Sequence, residues 1–138
     1  MWPNRRLIEL LQIEHPLVLA PMAGIGTVEL AASVCAAGGL GSIGCAAMQP
    51  ELVAKTVQAL RGLTDKPINV NFFCLPDFPL PMGELAPLRT IAEQKGNSDF
   101  TPFWSGQAAP LGREMPAEAL TLRLVEEAIE RFKQLNPN

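Results

Sequence analysis

Two short stretches of the chain hold the residue types best suited to gripping a small molecule. Ala20, Pro21, Met22, Ala23 and Gly24 form a run with little side-chain bulk. Such a run lets backbone amides come close to a flat or anionic ligand. Asn71 offers amide donors and an acceptor on one short arm. Each stretch closes an apolar segment of strand length, 17–20 in the first case and 68–73 in the second. Parallel α/β folds bind ligands at the carboxyl ends of their strands. The two stretches are therefore candidate parts of one ligand site, with the ligand left open by the residues themselves.

Other groups carry weaker signals. Gly39-Leu40-Gly41-Ser42-Ile43-Gly44 matches G-x-G-x-x-G literally. A dinucleotide fingerprint must follow a strand and open a helix, whereas this run follows a helix and itself reads as strand. Tight packing is the first reading and a ligand-facing turn the second. His15 is the single histidine and precedes Pro16 at the start of the first strand. In a parallel barrel that end serves stability rather than chemistry, which favours a surface or capping role over a general base. Cys35, Cys45 and Cys74 are odd in number and lack C-x-x-C spacing, so no disulfide framework or zinc site is predicted. They read as small buried packers, with Cys74 placed just past the third strand, where it would face a pocket. Glu126, Glu127 and Glu130 alternate with Arg123, Arg131 and Lys133 as one solvated helix face.

The elements that would position these groups alternate through the first 75 residues. A helix over 5–12 places Leu7, Leu10 and Leu11 at helical spacing, and Pro16 then breaks the chain. The continuous apolar run 17–20 predicts a strand covered on both faces. Thr27 is an N-cap for a helix reaching Ala37, with Leu30, Val34 and Ala37 on one face. Leu40 to Ile43 gives a second strand. Pro50 opens a helix whose stripe is Leu52, Val53, Val57, Leu60 and Leu63. Asp65-Lys66-Pro67 turns the chain into a third strand. Strand–helix–strand–helix–strand with short links is the signature of parallel βαβ units.

That rhythm ends near residue 74. Pro76, Pro79, Pro81 and Pro87 keep the next stretch from being helix or central strand. A short helical segment is predicted over 86–95, then an aromatic loop with Phe100, Phe103 and Trp104. Pro116 opens a last helix with Leu120, Leu124, Ala128, Ile129, Phe132 and Leu135 along one face. The expected organisation is thus βα units over 1–75, a proline-rich junction over 76–88, and a loop and helix over 89–138.

Composition sets outer limits. The 138 residues are 48% apolar and 18% charged, with 14 acids against 11 bases for a net charge of −3. No basic footprint for nucleic acid and no polybasic membrane patch follows from that balance. Apolar runs fall short of the ~20 residues of a membrane span. The N-terminus lacks the apolar stretch of a secretory signal. A soluble, reduced, cytoplasmic chain is expected.

Three ordered segments give the sequence a family likeness. Residues 16–24 (PLVLAPMAG), 37–42 (AGGLGS) and 64–73 (TDKPINVNFF) resemble the opening of the nitronate monooxygenases. Residues 99–109 (DFTPFWSGQAA) and 113–117 (REMPA) are similar to that family's closing segment. The resemblance implies an FMN-dependent TIM-barrel enzyme that oxidises alkyl nitronates with molecular oxygen. It implies that Ala20, Pro21, Met22, Ala23 and Gly24 run beside the flavin ring and that Asn71 contacts FMN. Trp104 to Gln107 would pack back towards the barrel as a pocket element. The family's middle portion, with its catalytic histidine, a flavin-contacting glutamine and the phosphate-gripping loops, has no counterpart here, and no residue matches that histidine.

The expected fold class is therefore α/β, a partial TIM-barrel-like arc of about three parallel strands with C-terminal helices. The expected function is nitronate oxidation through FMN by a truncated and impaired chain, with weak or no flavin binding in isolation. The alternative is a non-catalytic barrel remnant or interaction module that self-associates through open strand edges. Nitronate and O2 are the expected small-molecule partners, and no metal site is predicted.

Overall fold

A computed structural model describes residues 2–46, 48–72, 86–98 and 106–135. Five helices and two strands are formed among them. These are α1 (Arg6–Leu11), α2 (Val28–Ala36), β1 (Gly41–Gly44), α3 (Pro50–Arg61), β2 (Ile68–Asn71), α4 (Ala86–Gln94) and α5 (Ala117–Leu135), with a single 3-10 turn at Ala109–Leu111. The chain divides into two compact units. Met1–Phe73 and Glu114–Asn138 build the first, and Cys74–Arg113 the second.

Within the first unit β1 and β2 pair in parallel, Gly41 opposite Ile68 through Gly44 opposite Asn71. The predicted first strand at 17–20 is reduced to one parallel bridge between Val18 and Leu40. Leu40 donates to the Leu17 carbonyl at 2.8 Å and accepts from the Leu19 amide at 2.9 Å. Pro16 and Pro21 bound this segment, and proline brings no N–H to a ladder. Nor is the segment covered on both faces, since Val18 is 47% exposed. The third strand stops at Asn71, with Phe72 exposed beyond it. Phe73, Cys74, residues 76–85 and the aromatic residues Phe100, Phe103 and Trp104 lie outside the described residues.

Helix α2 begins where the sequence predicts, because the Thr27 hydroxyl accepts the Leu30 amide at 3.1 Å. It packs against β1 through Ala31, Val34 and Cys35, all buried. Helix α3 starts with Pro50 in its first turn. Ala31, Ile43, Cys45 and Leu60 form the centre of the core, with Leu19, Val53, Ile68 and Val70 packed around them. A second cluster joins Ile8, Ile13 and Leu40 under Trp2 and Leu11.

Two predicted stripes, in α1 and α5, are shifted from their expected positions, and that of α3 is narrowed to its middle. In α1 it is Ile8 that is buried, while Leu7 and Leu10 are exposed. In α3 only Leu60 is fully enclosed, and Leu52 and Leu63 at either end face solvent. In α5 the buried residues are Thr121 and Val125, whereas Leu124, Phe132 and Leu135 are exposed. Burial follows the neighbour actually present: α5 meets α2, and one packed helix covers a narrower band than the sequence makes apolar.

In the second unit α4 carries one buried apolar residue, Ala92. The helix ends at Gln94, and Gly96 just beyond it has a φ of +73° that suits a left-handed C-terminal turn. The Asn97 amide closes that turn on the Ala92 carbonyl at 2.9 Å. Among the described residues no helix is long and apolar enough to cross a membrane.

Candidate functional site

Small residues bring the carboxyl ends of the parallel segments together. Three glycines of the 39–44 run stand where a side chain would not fit. A Cβ on Gly41 would collide with the Ala31 carbonyl and lie 2.7 Å from the Cys35 sulfur. One on Gly39 would meet the Leu17 carbonyl and the Val34 side chain at 3.0 Å. One on Gly44 would lie 2.9 Å from the Ala23 nitrogen and 3.0 Å from the Met22 carbonyl carbon. The run is therefore a packing device, as its position after a helix predicts, and not a dinucleotide turn.

The Gly44 contact seats residues 20–24 directly on the end of β1. The loop folds back on itself, with the Gly26 amide donating to the Met22 carbonyl at 2.9 Å. Gly24 takes a φ of +78°, open to glycine at no steric cost, and a Cβ there would meet open space. Ala20, Pro21, Ala23 and Gly24 are exposed and Met22 is half-buried.

Asn71 closes the other side of the same end. It is the register partner of Gly44, and its carbonyl accepts the Cys45 amide at 2.9 Å. Its side chain is half-buried. Side chains alternate along a strand, so Asn71 shares a face with Asn69, while Ile68 and Val70 face the helices. On that polar face the Asn69 amide donates to the Ser42 hydroxyl at 3.1 Å. Ser42 is only 1% exposed, so the bond removes the cost of a buried hydroxyl. The candidate residues Ala20, Pro21, Met22, Ala23, Gly24 and Asn71 are thus gathered at one end, around Gly44.

Neither Gly44 nor the Ser42–Asn69 pair stands out in the sequence as part of this site. The available signal is positional: a glycine and a polar residue at register positions of otherwise apolar strands.

His15 lies elsewhere. Its Nδ1 accepts the indole N–H of Trp2 at 3.2 Å, and its amide donates to the Gly38 carbonyl at 2.9 Å. The imidazole also tilts against the indole with ring centres 6.1 Å apart. This is a structural histidine at the amino end of the 17–19 segment, and the bond fixes the tautomer with the proton on Nε2.

Cys35 and Cys45 are free and buried. Burial pushes the Cys45 thiol above its ordinary value. Among the described residues no three histidine, cysteine or acidic side chains cluster as a metal site. Arg123 and Glu127 pair at 2.8 Å across one turn of α5 with both side chains at the surface, which fits a solvated face.

The geometry amounts to an exposed loop without charge and a half-buried amide, placed to hold the face or edge of a flat polar molecule. The sequence profile of the nitronate monooxygenase family matches residues 4–82. A nitronate monooxygenase of Paraburkholderia phytofirmans is 53% identical over 71 residues, 51% of this chain and 19% of that protein. One from Pseudomonas aeruginosa is 49% identical over 69 residues, covering 50% of this chain and 20% of the relative. The chain spans about a fifth of the length of these curated relatives. Among solved structures, FabK from Thermotoga maritima superposes with a TM-score of 0.50 and 39% identity, over 66% of this chain and 27% of that one.

Proposed function

The chain belongs to the nitronate monooxygenase family, and on that premise we propose that residues 20–24 and Asn71 form the ring-binding end of an FMN site. The observation that carries this reading is the seating of Met22 and Ala23 on Gly44, in register with Asn71. The residues present suit the group. The loop is uncharged, nearly free of bulk and open to solvent, and the Asn71 amide can donate to or accept from a heteroaromatic edge.

In this reading the parallel segments 17–19, β1 and β2 are an arc of a TIM-type barrel, side by side in chain order. Bound at their carboxyl ends, FMN would supply the redox chemistry for oxidising an alkyl nitronate with O2. The chain's own residues would bind and orient. Ala23 and Gly24 offer backbone close to the ring, Met22 supplies an apolar wall, and Asn71 fixes the ring by hydrogen bonding.

Proton abstraction from a substrate needs a base within reach. The single histidine, His15, is held by Trp2 at the other end, and the carboxylates that open the helices following this end, Glu29 and Glu51, are exposed in the first turns of α2 and α3. We therefore read the isolated chain as an orienting half-site with weak flavin affinity and little turnover. A reduced, cytoplasmic setting belongs to the same reading and rests on the free, buried Cys35 and Cys45.

The test is a titration of the purified chain into FMN, followed by flavin fluorescence, and oxygen uptake on adding a nitronate. Saturable quenching that depends on Asn71, with oxygen uptake near the free-flavin rate, supports the proposal. No quenching at any protein concentration overturns it, and oxygen uptake well above the free-flavin rate overturns the assignment of a site without a base.

A further inference from the structure

Helices α2 and α3 both open at the end that carries residues 20–24 and Asn71. The Gly26 amide bonds to the Met22 carbonyl one residue before the Thr27 cap of α2. The Cys45 amide bonds to the Asn71 carbonyl, and the Met48 amide turns back on the Cys45 carbonyl just before the Gln49 cap of α3. Helix openings of this kind ordinarily hold phosphate, through free backbone amides and the positive end of the helix dipole. Here both are ill suited to it. In α2 the Leu30 amide is held by the Thr27 hydroxyl at 3.1 Å. In α3 the first residue is Pro50, which has no N–H, and the Leu52 amide is committed to the Gln49 carbonyl at 2.9 Å. Each helix also carries an exposed carboxylate in its first turn, Glu29 in α2 and Glu51 in α3. Residues 16–54 include those two acids and no lysine, arginine or histidine, and residues 67–73 include no charged residue. Lys55, one turn along α3 from Glu51, is the first base after them.

We propose that this end takes an uncharged flavin ring and discriminates against a phosphate, with Glu29 and Glu51 as the residues that set the preference. The inference rests on the flavin reading above and names the ligand class within it: riboflavin or lumiflavin ahead of FMN. A carboxylate in the first turn offsets the helix dipole that would attract a phosphate, and it repels a second negative group brought near. A neutral ring makes no such demand. Its faces need close backbone and an apolar wall, which residues 22–24 offer, and its polar edge needs the donors and acceptor of the Asn71 amide. The phosphate of FMN therefore gains nothing at this end, and at low ionic strength it works against binding.

Fluorescence titrations of the full chain with lumiflavin, riboflavin and FMN test it, each repeated on Asn71→Ala to show that the quenching comes from this end. Lumiflavin and riboflavin are expected to bind alike. FMN is expected to bind about two- to fivefold more weakly at about 0.01 M salt, where charges act over about 30 Å. The gap should close at about 1 M salt, where they act over about 3 Å. Glu29→Gln combined with Glu51→Gln, with folding checked by circular dichroism, is expected to tighten FMN by the same about two- to fivefold and to leave riboflavin unchanged. FMN that binds as tightly as riboflavin, or tighter, at low salt overturns the proposal and leaves the flavin reading standing. So does a preference for riboflavin that survives in the double variant. Quenching that is absent with all three flavins, or that ignores Asn71→Ala, removes the flavin reading itself and this proposal with it.

Discussion

Gly44 and Asn71 stand opposite each other at the carboxyl end of the parallel pair, and the backbone of Ala23 rests where a Gly44 side chain would be. One missing Cβ thus lets a loop reach a strand end and lie beside an amide on the next strand. Gly44→Ala must push backbone rather than a flexible side chain. It is expected to cost about 1–3 kcal/mol and to displace residues 22–24. A denaturant melt reads the first effect, and loss of FMN quenching beyond what the melt explains reads the second.

Gly41→Ala should be worse for stability and blander for binding. Its Cβ would run into the Ala31 carbonyl and the Cys35 sulfur, both in the body of α2. The helix would have to lift from the sheet, and a loss of about 3 kcal/mol or more is expected. A variant that melts like the wild type would show that α2 does not pack on β1 in this way.

Asn71→Ala separates the site from the fold. The ladder bond from Cys45 uses the Asn71 backbone carbonyl, which alanine keeps. Stability should change by less than about 1 kcal/mol, while FMN affinity falls roughly three- to tenfold, the usual worth of one neutral hydrogen bond. Equal quenching by both proteins would remove Asn71 from the site.

His15→Ala should show the opposite pattern. Losing the acceptor of the Trp2 indole and its ring contact is expected to cost about 1 kcal/mol. Flavin titrations and oxygen uptake should not change. A fall in oxygen uptake without a fall in stability would make His15 a chemical participant after all.

Cys45 gives a pH dependence of definite sign. Burial raises its thiol above 9.0 in the folded chain, so the unfolded chain ionises first as pH rises. The contribution is intact below pH 9.0 and is lost above it, up to the folded value. Lys66, raised chiefly by its hydrogen bond to Glu14, adds the same sign from 10.5 upward. Denaturant melts on both sides of pH 9.0 should show stability dropping more steeply in the wild type than in Cys45→Ala. Identical slopes would mean that the thiol is open to water.

Local chemistry in the sequence was enough to place much of this. Thr27 announces α2, Pro50 announces α3, and the apolar 68–73 run reads as a strand, which forms over Ile68–Asn71. The candidate site was legible for the same reason, since a loop of small residues and an asparagine each close an apolar run. What the sequence did not show depends on neighbours. Whether 17–20 is a full strand turns on what lies beyond Val18, and four apolar residues look alike with one partner or two. The exposed Leu124 and Phe132 of α5 carry the same message, because the pattern encodes a face wider than α2 alone covers.

The chain order of the parallel segments also bears on how the first unit assembles. Residues 17–19 bridge to Leu40 just before β1, and β1 pairs with β2, so each segment finds its partner among residues synthesised shortly before it. Contacts of such short reach close quickly and allow the head to organise while later residues are still emerging. Helix α5 is different, since the stretch from Ala36 to Ala117 must be spanned before it can meet α2. Its docking is expected to be the late step, and until it occurs the apolar flank of α2 stays open to the chaperones and chains around it.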